Sequence, residues 1–178
     1  LQAMRRLDLL TPSEVEIRDA RHDWNDGIPA VVDRLLQATE SRAAIVTLAG
    51  EGCLLFEIDA EADAADPASA DPAPDRAMSD GHFRPRLAAT HIPALAAQVV
   101  DPLGCGDALL ATATLTLATG ATATAAMAIG SIAAATHAGR LGNPTVDASD
   151  LRRGVVRLAG ARMRLADPGA PLMETRAG

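Results

Sequence analysis

VVDPLGCGDALLATATLTLATGAT, residues 99–122, passes from an extended apolar pair through a glycine-bearing turn into an apolar helix expected over Ala108–Thr119. Gly104 and Gly106 flank the small Cys105, so the backbone N–H groups of the turn carry no bulky cover. They stand at the positive end of the helix dipole. Such a turn is an anion hole, suited to phosphate oxygens or to charge that develops during group transfer. Asp107 is the odd member, because a carboxylate beside a bound phosphate repels it and adds nothing to affinity. It makes sense as a base that takes a proton from an attacking hydroxyl. An aspartate at the head of a helix is also a common N-cap, and this motif by itself leaves both roles open. Asp101 would orient the turn or help to hold a cation.

Downstream, Gly120 ends the first helix, a second is expected from about Thr122 to Ala138, and Arg140 to Pro144 forms a turn. Asp147–Leu165 reads as a last amphipathic helix with arginines on its polar face. Upstream, Leu7–Leu10 is a short apolar run ended by Thr11-Pro12, after which Ser13 would cap a helix carrying Glu14 and Glu16 in its first turn. Ile28, Val31, Val32, Leu35 and Leu36 have helical spacing, which predicts a helix over Ile28–Thr39. Ala43–Leu48 is a buried-strand run, Gly50-Glu51-Gly52 turns the chain, and Cys53–Ile58 returns as a hairpin partner. Residues 59–81 are Ala, Asp and Pro with little to bury, and are expected as a flexible loop inside one domain, because apolar strand-like stretches lie on both sides. Strands and helices alternate before a helix-rich second half, which makes the fold class α/β.

Composition narrows the chemistry. The chain has 178 residues and a net charge of −7, and its 16 basic residues are all arginine. Without lysine there is no Schiff-base chemistry and no Walker-type phosphate loop. Tyrosine is absent, and Trp24, Phe56 and Phe83 are the only aromatic residues. A base-stacking nucleic-acid surface is therefore not expected. Much of the 48% hydrophobic content is alanine, so the core must pack closely through small side chains. Cys53 and Cys105 are too few for a disulfide framework, and no His/Cys cluster has zinc spacing. The apolar stretch from Ala108 to Ala138 is interrupted by threonines, Gly120 and Gly130, so no membrane span is expected and the cytoplasm is the default location.

The turn-and-helix stretch 99–122 resembles the C-terminal signature of the ribokinase-like (PfkB-type) carbohydrate kinases, D-T-x-G-A-G-D followed by a helix. Three more segments resemble the family in its order. They are Thr11-Pro12-Ser13-Glu14-Val15-Glu16 for T-P-N-x-x-E, Val46–Gly52 for V-T-x-G-x-x-G, and Ser131–Ala135 with Arg140–Gly142 for N-A-A-A-A and R-x-G. The DPLGCGD variant and the HIPA stretch ahead of it are most similar to the heptose 7-phosphate kinase subgroup.

The resemblance implies a three-layer sandwich of which residues 1–178 form the C-terminal, nucleotide-binding portion, a single partial domain. It implies ATP-dependent phosphoryl transfer to a sugar or sugar-phosphate hydroxyl. Asp107 would be the base, and Gly104, Cys105 and Gly106 would offer N–H groups to the phosphoryl group. Ser13, Thr47, Gly50, Gly52 and Ser131 would meet the nucleotide, with Ser131 near the adenine. Glu16 would help position Mg2+ through water. Asp101 and the Arg140–Gly142 turn resemble the region where some members hold a monovalent cation such as K+. A small-molecule sugar and a second copy of the chain in a homodimer are the implied partners. The alternative is a truncated or degenerate, non-catalytic nucleotide-binding or interaction module.

Departures from the family pattern are Ser13 for asparagine, Ala49 for glycine (with Gly50 expected to compensate through a shifted turn), Pro102 for threonine and Cys105 for alanine. Cys105, at a helix N-terminus, is either a thiol of lowered pKa or a small filler residue, and the filler role is favoured. His137 is expected to be packed or on the surface, and Met127 in the core.

Overall fold

The computed structural model describes residues 4–58 and 87–165, with side chains to residue 160. The segment expected as a loop at 59–81 lies outside the described residues. Helices α1 (Glu14–Arg21) and α2 (Ile28–Thr39) precede strands β1 (Ala43–Thr47), β2 (Cys53–Ile58) and β3 (Leu87–Ile92). Helices α3 (Cys105–Ala118), α4 (Ala123–Ala138) and α5 (Ala148–Leu165) follow. The strands pair antiparallel in the order β1-β2-β3, with Thr47 opposite Cys53 and Cys53 opposite Ile92. The Leu7–Ser13 run lies parallel to β1, bridging at Leu10–Ala44 and Ser13–Thr47.

Alternation along β1 and β2 builds two cores, because successive side chains point to opposite faces. Ala44, Val46 and Phe56 join Leu10 and Ile17 with Val31, Val32, Leu35 and Leu36 of α2. Ala43, Ile45, Cys53 and Leu55 face the other way, onto Leu109 and Ala113 of α3 and Ala126 and Met127 of α4. Helices therefore cover both faces of the sheet, in three layers as expected. Small residues let α3 and α4 approach: a Cβ at Gly130 would come within 3.0 Å of the Leu109 carbonyl. A Cβ at Gly154 of α5 would meet Ile132 at 2.2 Å.

Local signals explain most element ends. Ser13 caps α1 through a reciprocal box, its Oγ accepting from Glu16 N–H while the Glu16 carboxylate accepts from Ser13 N–H. Thr122 caps α4 by accepting from Ala125 N–H. Asp147 does the same for α5, accepting from the N–H groups of Ser149 and Asp150. Helix α3 differs from expectation. It begins at Cys105, three residues before Ala108, with Gly104 as its N-cap residue at φ +84°. Asp107 is the third residue of the helix, so the capping role does not hold.

Candidate functional site

A cleft of about 750 Å³ opens where four elements end together. Ser13, Glu14 and Val15 bring the N-terminus of α1, Thr47 to Gly52 the hairpin turn, Cys105 and Gly106 the N-terminus of α3, and Ser131 the flank of α4. Residues 93–99 close the remaining side. The lining is mostly Ala, Leu, Pro and Val, which suits a flat, weakly polar ring, with polar groups at few points. No described lining residue is basic. Any anion here is therefore met by backbone N–H groups and by the positive ends of two helices.

The turn that carries Cys105 and Gly106 is held from behind. The Asp101 carboxylate accepts from Leu103 N–H at 3.0 Å and from Gly142 N–H at 3.2 Å. Val100 and Asp101 donate their N–H groups to the Ala138 carbonyl at the end of α4. Gly104 needs to be glycine on two counts: its φ is left-handed, and a Cβ would lie 2.9 Å from His137 Nε2 and 3.0 Å from Asn143 Oδ1. Gly106 is different. Its backbone is helical, and a Cβ there would meet no protein atom within 4 Å. Nothing in the fold asks for glycine at a cleft-lining helical position where alanine is the better helix former.

Of the expected site residues, Ser13, Thr47, Gly50, Gly52, Cys105, Gly106 and Ser131 all line this one cleft. Gly104, Asp101, Asp107 and Glu16 do not line it. Asp107 follows Gly106 on the first turn of α3, with an exposed carboxylate that has no hydrogen-bond partner among the described residues. Glu16 Oε2 is engaged by both the N–H and the hydroxyl of Ser13. Ser131 Oγ is 3.3 Å from Cys53 Sγ in the cleft floor.

Two readings of the turns change. Ala49 itself takes the left-handed conformation, φ +50°, so Gly50 does not compensate for the missing glycine. Gly52, at φ +98°, packs its Cα against the chain leaving β3, where a Cβ would lie 2.1 Å from the Ile92 carbonyl oxygen. Neither thiol is activated. Burial raises Cys53, and burial with the neighbouring Asp101 charge raises Cys105. Cys105 is thus a small residue of the turn. The wall behind the turn was missed. His137, 3% exposed, reaches the Leu103 carbonyl at 2.8 Å, and a lone histidine on an alanine-rich helix carries no sequence signal of that contact.

The wall is fastened to α5 by Asp150, which is buried and accepts from Arg140, Arg153 and Asp147 N–H. Arg140 and the Asp147 N–H hold its carboxyl well below the usual carboxylate range.

Known proteins of this shape share the arrangement of elements. Ribokinase from Thermotoga maritima superposes with a TM-score of 0.63 at 20% identity, over 84% of this chain and 42% of that one. The fold is ribokinase-like. Phosphofructokinase-2 from Escherichia coli in complex with potassium also gives 0.63, at 14% identity over 89% of this chain and 43% of that one. Arabidopsis thaliana ribokinase complexed with ribose and ATP gives 0.58 at 17% identity, over 83% of this chain and 40% of that one. In sequence, the bifunctional protein HldE of Stutzerimonas stutzeri is 38% identical over 79 residues, and that of Ectopseudomonas mendocina 37%. These matches cover 44% of this chain and 17% of each relative. No family profile matches the chain. The resemblance to ribokinase-like carbohydrate kinases thus holds over part of their length. Among the described residues no helix is long and apolar enough to cross a membrane.

Proposed function

We propose that this ribokinase-like chain is the nucleotide-binding and catalytic portion of an ATP-dependent carbohydrate kinase, and that its acceptor is a sugar phosphate of the heptose 7-phosphate class. The observation that carries the reading is Gly106. It lines the cleft beside first-turn N–H groups, and its missing Cβ leaves space that no protein atom fills. That space fits the close approach of phosphate oxygens to the backbone. The apolar lining suits adenine, with Ser131 on its wall and Thr47, Gly50 and Gly52 toward the ribose and phosphates.

In the reaction, Asp107 accepts the proton of the sugar hydroxyl as its oxygen bonds to the γ-phosphorus. The bond to the bridging oxygen breaks and ADP leaves. The Gly106 N–H receives the charge on the transferring group, and the Cys105 N–H joins it on leaving the Pro102 carbonyl that it meets at 3.3 Å. Mg2+ supplies neutralisation of phosphate charge when bound. Among the described residues there is no cluster of three or more His, Cys, Asp or Glu side chains that could hold a metal ion. An ion here would be held chiefly by phosphate oxygens and water, and Glu16, whose Oε2 accepts from Ser13, would be the residue to meet its water.

The test is ADP release from Mg-ATP with heptose 7-phosphate as acceptor. Asp107→Asn is expected to slow turnover by about 10²–10⁴-fold, with Mg-ATP affinity within twofold of the original. Unchanged turnover would remove the base assignment. Mg-ATP binding with no transfer to any sugar phosphate would instead identify a non-catalytic nucleotide-binding module.

A further inference from the structure

The geometry points to His137 as the positioning residue of the anion turn: an internal N–H clamp that does there what the family resemblance assigns to a monovalent cation. The inference rests on the reading of Leu103–Asp107 as the phosphate-binding turn. His137 sits on the last turn of α4, 34 residues from its partner in sequence, with its ring buried and its Nε2 2.8 Å from the Leu103 carbonyl oxygen. A carbonyl only accepts, so Nε2 is the protonated nitrogen and donates. The same ring edge stands under Gly104, where a Cβ would lie 2.9 Å from Nε2. Leu103 is thus pinned through both of its backbone polar groups, its N–H by Asp101 and its carbonyl by His137. The next residue, Gly104, turns left-handed at φ +84°, and α3 starts immediately after it.

The oxygens of the cation region around Asp101 are already engaged without K+. An alkali ion needs converging oxygen lone pairs, and each Asp101 oxygen already gives one to a backbone N–H donor. The Leu103 carbonyl faces the imidazole N–H. That N–H already polarises the carbonyl, as a cation would. The turn is built to be closed without one.

Three measurements test this on the 178-residue chain. Long-range ¹H–¹⁵N correlation should show His137 protonated at Nε2, and a bare Nε2 would overturn the clamp. His137→Met keeps length and removes the donor, whereas His137→Gln keeps a donor near the same place. Amide exchange at Leu103, Cys105 and Ala108 is expected to accelerate at least tenfold in His137→Met and to stay within twofold in His137→Gln. Exchange in β1 and β2 should be unchanged in both, which a merely structural role for the ring would not produce. Unaltered exchange at the turn in a folded His137→Met variant would overturn the inference. Replacing choline chloride by KCl should leave turn exchange and Mg-ATP affinity of the unaltered chain within twofold, and a K+-specific tightening would refute the clamp's self-sufficiency. If His137→Met does not fold, the tautomer and the KCl comparison decide. A chain that binds no Mg-ATP, yet has the Nε2–H tautomer and the donor-dependent exchange, would refute the kinase reading and leave the clamp standing.

Discussion

Gly106→Ala separates what the fold needs from what a ligand needs. In the protein alone the added methyl meets no atom within 4 Å, and the backbone at Gly106 is already helical. Alanine is favoured over glycine in a helix interior by about 0.8–1.0 kcal/mol, and at the second helical position roughly half of that is expected. For a chain of this size that is a rise in melting temperature of about 1–2 °C. With phosphate at the turn, the same methyl occupies the ligand's approach and displaces at least one charge-assisted N–H bond, worth about 1.5–3 kcal/mol. Mg-ATP affinity should then fall by roughly 10–100-fold, at about 1.4 kcal/mol per factor of ten. Calorimetric titration and thermal melting of the two chains side by side provide both numbers. A variant that is slightly more stable and binds Mg-ATP as well as the parent would refute the assignment of phosphate to this turn.

Other consequences are structural. Gly52→Ala combines a left-handed backbone with a Cβ driven to 2.1 Å from the Ile92 carbonyl, and should destabilise the chain by about 3 kcal/mol in urea titration. Asp150 makes stability depend on acid. Its folded-state pKa lies below the ordinary 3.8, so its contribution is complete above about pH 4 and is lost as pH falls toward the folded-state value. Melting temperature should therefore decline below pH 4, and Asp150→Asn should flatten that decline while lowering stability at pH 7.

Much of this was legible in the sequence because local physics wrote it there. The spacing of Ile28, Val31, Val32, Leu35 and Leu36 allows one buried helical stripe, and α2 occupies the expected residues. The Ser13–Glu16 box and the Gly50–Gly52 turn likewise act over a few residues. The start of α3 was hidden by its own glycines: Gly106 reads as a turn residue, although its backbone is helical. The gathering of Ser13, Thr47, Gly106 and Ser131 around one cleft followed from the family pattern, not from any local signal. His137 was out of reach for a different reason. Its partner is a backbone carbonyl on another element, and a carbonyl is the same at every residue. Ala49 shows the same limit, since a left-handed alanine is imposed by the β1–β2 turn and by nothing in its side chain.

Titration of the 178-residue chain with Mg-ATP, followed residue by residue by amide shifts, tests the central claim most directly. Saturable one-to-one binding is expected, with the largest shifts at Gly52, Cys105, Gly106 and Ser131 and none on the outer face of α5. Absence of binding, or shifts that bypass Cys105 and Gly106, would contradict it.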